Sequence, residues 1–213
     1  MRLPSPRPHL LHTFTDLAPT AGQLMTLQYL ANRDERCFDV GVVFVGPPVD
    51  LFDELARTGV RIARLGHPPT ERRALLSDLV RVLRSGDTAL LHVHGPLDRS
   101  VAVAAAALTR TPVLCHLHGD DAVDRTPSTI GARLERRAVA EYLVDDAGAA
   151  RRLAARVPQR VSHMPAGATP DQIAHCFERA YRRILAVDDT TLIRLDPPVS
   201  AHGAPPVLTA TKG

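Results

Sequence analysis

The chain has no tryptophan, a single lysine (Lys212) and only three cysteines in 213 residues, and aromatic residues make up 4% of it. Base-stacking platforms for single-stranded nucleic acid need several exposed rings, which this composition does not supply, so no nucleic-acid partner is expected. Cys37, Cys115 and Cys176 are odd in number, far apart and set among apolar neighbours. That is the pattern of buried reduced thiols and points to a cytoplasmic location. The longest unbroken apolar run, Val101 to Leu108, has eight residues, far below the roughly 20 that span a bilayer. Met1 to Pro8 lacks the apolar stretch of a signal peptide, so at most a peripheral membrane contact is expected. No two glycines are separated by one residue, which excludes the GxGxxG fingerprint. GxxxxGK[ST], HExxH and CxxC are missing as well.

What is present is an aliphatic chain of ordinary globular balance, 45% hydrophobic and 23% charged, with a net charge of +3. A sizeable core follows, and wholesale disorder is excluded. The basic residues, nearly all arginine, are interleaved with acids and apolar positions and read as solvated helix faces.

Periodicity predicts strands at His9 to Phe14, Cys37 to Val45, Val60 to Leu65, Ala89 to His94, Pro112 to Leu117, Tyr142 to Val144 and Arg160 to Met164. Helices fall between them. One opens at Gly22 with Leu24, Leu27, Leu30 and Ala31 on a common face. Another spans Asp50 to Thr58, and a third, capped by Thr70, runs to Arg84. Further helices run to Thr109, from Ser128 through Ala140, from Ala147 to Arg156, and from Pro170 to about Val187. The last should pack through Ile173, Phe177, Ala180, Tyr181 and Ile184. Strands alternating with helices of this length are βαβ units. The fold class is therefore α/β: one doubly wound Rossmann-like domain over residues 9–187, with a mainly parallel sheet of about seven strands. Residues 1–8 read as a flexible lead and 188–213, with four prolines and no apolar stripe, as a disordered tail.

Residues able to do chemistry lie at strand ends. His92 and His94 close one strand, before Gly95. His116 and His118 close the next, before Gly119, Asp120 and Asp121. Period-two alternation puts both rings of each pair on one face, and consecutive strands should be neighbours, so four imidazoles converge. His92 and His116, set deeper, also fit satisfied core histidines, whereas His94 and His118 sit at the outer ends. Imidazole titrates near neutrality and suits hydrogen bonding or proton transfer at a polar substrate. A metal site of imidazoles plus carboxylate is the other chemistry of such a set, but the remaining histidines before the tail, His163 and His175, offer it little, and no metal is expected. At the opening of the first helix, Thr20-Ala21-Gly22-Gln23 lets backbone N–H groups approach an anion or a sugar hydroxyl; an ordinary capped loop is the plainer alternative.

Taken in order, these residues resemble the N-terminal domain of family-4 glycosyltransferases of the GT-B fold. The loop Pro19-Thr20-Ala21-Gly22 resembles the family's Pro-x-Gly-Gly, and Asp87 through Gly95 its strand ending His-Val-His-Gly. Pro112 through Gly119 resembles its next strand, which ends in His-Gly, and His163 through Gly167 its Pro-Asn-Gly strand end. The sequence departs from the family at Ala21, at Ala166 and at Asp145, where the family has Gly, Asn and Ser. The family's donor domain carries a Glu-x7-Glu motif, and no two of the six glutamates here are eight positions apart.

The resemblance implies an acceptor-side domain without its donor half, with a final helix that crosses back onto it. It implies His118 as the catalytic group and Ala21, Gly22, His94, Gly95, Gly119 and Asp120 as acceptor-binding. It implies no cofactor beyond a nucleotide-sugar donor, a sugar or lipid-linked acceptor, and a separate polypeptide supplying the donor domain. Little activity is expected of the chain alone. Two rival readings remain: a non-catalytic binding or regulatory partner of a glycosyltransferase, and a small metallohydrolase using His92, His94, His116, His118 and Asp120.

Overall fold

Seven short runs of aliphatic and β-branched residues pair side by side in a computed structural model, which describes residues 7–15, 20–45, 51–68, 70–94, 99–118, 129–165 and 167–186. The strands are β1 (His9–Phe14), β2 (Asp39–Phe44), β3 (Arg61–Arg64), β4 (Thr88–His94), β5 (Val113–Leu117), β6 (Val139–Val144) and β7 (Arg160–His163). Every pairing is parallel, in the order β3-β2-β1-β4-β5-β6-β7. The helices are α1 (Ala21–Asn32), α2 (Phe52–Arg57), α3 (Arg72–Ser85), α4 (Arg99–Thr109), α5 (Thr129–Ala138), α6 (Ala147–Ala154) and α7 (Pro170–Leu185). This is the expected doubly wound sheet, and the strand order reverses between β1 and β4.

Parallel strands covered on both faces bury nearly every side chain. One core, including Leu11, Leu91, Val93, Cys115 and Val144, packs against α3, α4 and α6. The other, including Leu10, Phe14, Leu90 and Leu114, packs against α1 and α7. Cys37 and Cys115 are buried and Cys176 is half-buried, all three as free thiols. Burial pushes the Cys115 thiol up to about 12, which keeps it protonated and unreactive. No described helix is long and apolar enough to cross a membrane.

The closing helix α7 begins with a capping box on Thr169 and Gln172, with Pro170 in its first turn. It returns from the β7 edge to the middle of the sheet, burying Ile173, Phe177, Ala180 and Tyr181, with Ile184 half-buried against the same core. Its anchor is polar. Arg183 donates to both carboxylate oxygens of the buried Glu141 on β6, with Nε at 3.1 Å from Oε2, and Ser162 donates to that carboxylate from β7 at 2.6 Å. A buried carboxylate is tolerated only with such partners.

Three local expectations are corrected. Leu24 and Ala31 do not face the core. Leu24 is 42% exposed, and the buried stripe of α1 is Gly22, Thr26, Tyr29 and Leu30, because Thr26 and Tyr29 turn toward a polar layer of the sheet. Thr70 does not cap α3. The Glu71 N–H closes a turn onto the Pro68 carbonyl at 3.0 Å, and the helix starts at Arg72 with no side-chain cap. Residues 139 and 140 are strand, not helix. Val139 pairs with Val113 and Glu141 with Leu114 across a shift of register on β5, and that tertiary pairing overrides the helix propensity of the alanine-rich run. The expectations for residues 1–6 and 188–213 lie outside the described residues.

Candidate functional site

Period two sends Leu10, His12 and Phe14 of β1 to the α1/α7 face, along with His92 and His94 of β4 and His116 of β5. Register completes the arrangement: His12 lies opposite His92 and His94 opposite His116. His118 follows at the end of β5, its ring centroid 4.0 Å from that of His116. Five imidazoles thus form one layer at the carboxyl ends of three adjacent strands, at the reversal point where ligands of such sheets bind. His12, His92 and His116 are fully buried and His94 nearly so, while His118 is half-buried.

A hydrogen-bonded chain runs through this layer. The Tyr181 hydroxyl lies 2.7 Å from His92 Nδ1 and 3.3 Å from His12 Nε2. His12 Nδ1 lies 3.0 Å from His94 Nε2, and His94 Nδ1 faces Thr26 Oγ1 at 3.3 Å. The Thr26 hydroxyl spends its one hydrogen on the Gly22 carbonyl at 2.9 Å. The Tyr29 hydroxyl is a further hydrogen-bond partner of Tyr181; with every ring neutral and the Tyr181 hydrogen kept within the chain, two polarities are self-consistent. In one, protons point from His92 through Tyr181, His12 and His94 to Thr26. In the other, all reverse and the lone pair of His94 Nδ1 is bare. Burial holds His12 down to about 3. Burial and then the neighbouring rings hold His92 and His94 well below the usual imidazole range, and burial with the His118 and His12 charges does the same for His116.

His118 is set apart by its partner. Its Nδ1 lies 3.1 Å from Asp145 Oδ2 at the end of β6. A carboxylate only accepts, so Nδ1 carries the hydrogen and Nε2 presents a lone pair. That nitrogen is buried and has no partner among the described residues. The ring lies face-on over the start of α1, where a Cβ on Gly22 would come within 2.1 Å of Nε2, 2.4 Å of Cε1 and 2.6 Å of Cδ2. Glycine is therefore required at position 22 by close approach. Gly22→Ala should leave the fold intact, alanine being the better helix former, but push the His118 ring off Asp145. The expected result is a large change in the His118 imidazole NMR resonances with little change in melting temperature. Unchanged resonances would mean that the ring does not sit over Gly22.

The structure thus brings together Gly22, His94 and His118 of the residues the sequence singled out, with the Ala21 backbone beside them in the first turn of α1. Gly95, Gly119 and Asp120 lie outside the described residues. His92 and His116 are buried as expected of core histidines, but they are not satisfied: His92 Nε2 and both nitrogens of His116 lack partners among the described residues. Sequence reasoning missed His12, Thr26 and Asp145. His12 had a signal, since it sits two residues before the end of β1, as His92 does on β4.

A cleft of about 330 Å³ at the opposite edge is lined by Arg110, Thr111, Pro112, Arg137 and the start of β6. It lies at the amino ends of β5 and β6, away from the edge where doubly wound sheets bind ligands, and it carries neither a nucleophile nor an acid–base pair.

Solved structures share this fold. The Anabaena protein HepE in complex with UDP-glucose superposes with a TM-score of 0.57 at 13% identity, over 81% of this chain and 50% of its own. A putative UDP-N-acetylglucosamine 2-epimerase from Listeria monocytogenes gives 0.53 at 15%, over 73% of this chain and 43% of its own. MurG from Acinetobacter baumannii gives 0.53 at 12%, over 76% and 46%. The chain spans about half the length of these proteins. No curated protein matches the sequence. A family model for the glycosyl transferase 4-like domain matches residues 20–163, from the cap of α1 to the end of β7, a stretch that carries His92, His94, His116 and His118 but not His12. The chain belongs to the glycosyl transferase 4-like domain family.

Proposed function

We propose that this chain supplies the acceptor side of a glycosyl transfer reaction, with His118 at the reacting hydroxyl and the nucleotide-sugar donor held by groups outside these 213 residues. The observation that carries this reading is the Asp145–His118 pair seated over Gly22, on the domain of a glycosyltransferase-like family. Asp145 fixes the tautomer, and the free Nε2 lone pair accepts a hydrogen bond or a proton from a sugar hydroxyl. The Ala21 and Gly22 backbone at the N-terminus of α1 provides donors for a second hydroxyl. His94, stacked on Phe14 with ring centroids 4.7 Å apart, backs the site without reaching solvent. Gly95, Gly119 and Asp120 complete the acceptor contacts in this reading, and a lipid-linked sugar remains within the acceptor class.

Transfer needs donor and acceptor in line, and that positioning lowers the barrier by as much as about 7–11 kcal/mol. The sequence carries no glycine-rich phosphate loop and no Glu-x7-Glu to grip a sugar nucleotide, so activity requires a donor-binding partner. The isolated chain, incubated with a panel of nucleotide-sugars and simple hexose acceptors, should release no nucleotide above background. Turnover by the chain alone that disappears in His118→Ala would overturn the half-site reading by revealing a complete active site.

A further inference from the structure

Five rings in one layer leave several nitrogens unused, and these converge. One ring nitrogen from each of His94, His116 and His118 lies within 4.8 Å of the other two. Both nitrogens of His116, which is fully buried, and the buried Nε2 of His118 have no partner among the described residues. Of these the acceptor-side reading uses only His118 Nε2, and an unpartnered buried polar atom costs on the order of 1–3 kcal/mol. We propose that His94, His116 and His118 form a three-histidine site for a divalent late transition ion, zinc in particular, bound through His94 Nδ1, His118 Nε2 and one nitrogen of His116. An ion held here would occupy the His118 Nε2 lone pair that the glycosyl-transfer reading gives to the acceptor hydroxyl.

The chemistry of the donors selects the ion. Three neutral imidazoles suit zinc and its neighbours and disfavour magnesium or calcium, which prefer oxygen. Zinc–nitrogen bonds of about 2.0–2.1 Å in a tetrahedral shell set ligand nitrogens roughly 3.3 Å apart, so small rotations of the rings close the triad. Burial favours the neutral, ligating form of His94 and His116.

For His118 and His94 the surroundings match what ligating histidines require, namely a partner on the other ring nitrogen. Asp145 accepts from His118 Nδ1 and brings a carboxylate next to the ion. His94 is served by the reversed polarity of the buried chain. Its Nε2–H then donates to His12 Nδ1, His12 donates to Tyr181 and Tyr181 to His92, which leaves His94 Nδ1 bare on the Thr26 side. Binding at His94 therefore selects one of the two polarities without breaking the His12–His94 bond. Three protein nitrogens leave a fourth position, which water or a substrate oxygen fills.

A second triad, His12, His92 and His94, is of similar span, but there the His12 and His94 nitrogens already bond each other. His94 belongs to both triads, so a single ion is expected.

The test uses the full chain, stripped with chelator and titrated with Co²⁺ as a spectroscopic substitute for Zn²⁺. The expected result is one equivalent with d–d absorption of tetrahedral intensity, displaced by Zn²⁺. His118→Asn and His116→Gln should abolish stoichiometric binding, and Asp145→Asn should weaken it about 10–100-fold. His175→Gln, on the exposed side of α7, should retain the tetrahedral spectrum, and His12→Gln, which removes the acceptor for the His94 Nε2–H, should weaken binding without abolishing it. If His116→Gln fails to fold, His118→Asn and Asp145→Asn at half-buried positions decide the matter. No tetrahedral spectrum, or one that survives His118→Asn, would overturn the site. A spectrum lost in His12→Gln but kept in His118→Asn would overturn it in favour of the other triad.

Discussion

Metal-free protein held in chelator should lose most of its stability between pH 7.5 and pH 5, well above the range in which carboxylates titrate. The cause is the buried layer. His12 is held down to about 3, and His92, His94 and His116 well below the ordinary value of 6.5. Above pH 7.5 these rings are neutral both folded and unfolded, so they impose no charge penalty. As pH falls through 6.5 the unfolded chain takes up protons that the folded chain refuses, and stability drops with pH. Each such ring costs on the order of 1 kcal/mol between pH 7.5 and 5.5, so the four together cost several kcal/mol, and the loss continues below that. Set against a typical total of about 5–15 kcal/mol, this places acid unfolding above about pH 4. Chemical denaturation at several pH values measures the slope directly. Constant stability down to pH 4.5 would show that the rings accept protons in place, and hence that water reaches the layer.

Phe177→Ala should cost about 3–5 kcal/mol, the range for truncating a fully buried phenylalanine. Phe177 is 0% exposed and forms the apolar floor of the histidine layer. Its ring lies edge-on to His92 at 4.8 Å and to His116 at 5.4 Å between centroids, and against Tyr29 at 5.1 Å. Truncation opens a cavity beside His116, whose two nitrogens have no partner among the described residues. Water that enters such a cavity hydrates the ring, so the variant should show a shallower loss of stability with acid than the parent. Urea unfolding at pH 7.5 and pH 5.5 tests both effects. A variant destabilised by less than about 1 kcal/mol, or with an unchanged acid slope, would mean that α7 does not seal the layer.

How far these features were legible in the sequence depends on the kind of signal each leaves. The βαβ rhythm, the seven strands and the packing face of α7 follow from local periodicity, because each element carries its own stripe. The convergence of the two His-x-His pairs was legible for the same reason, since consecutive strands neighbour each other in this architecture. His12 was harder to read. It is one histidine in an apolar run, and its meaning appears only when register sets it opposite His92. Asp145 was read as a departure at a family serine position, although it lies 3.1 Å from His118, because a partner 27 residues away leaves no local trace. On α1 the leucines pointed to the wrong face: the inward side is chosen by Thr26 and Gly22, which serve the polar layer rather than the apolar core. The start of β6 was misread because alanine favours helix until pairing with β5 outweighs it.

On the proposed reading a sugar acceptor binds at the histidine edge at Gly22, not in the arginine-lined cleft at the other edge of the sheet. Saturation-transfer NMR tests this most directly, using a panel of hexoses and N-acetylhexosamines on the parent chain, on Gly22→Val and His118→Asn, and on Arg110→Ala with Arg137→Ala. The account predicts that saturation transfer to sugar protons is present in the parent, absent in Gly22→Val and His118→Asn, and retained when both arginines are removed. Transfer that persists in both histidine-edge variants and vanishes with the two arginines would contradict it.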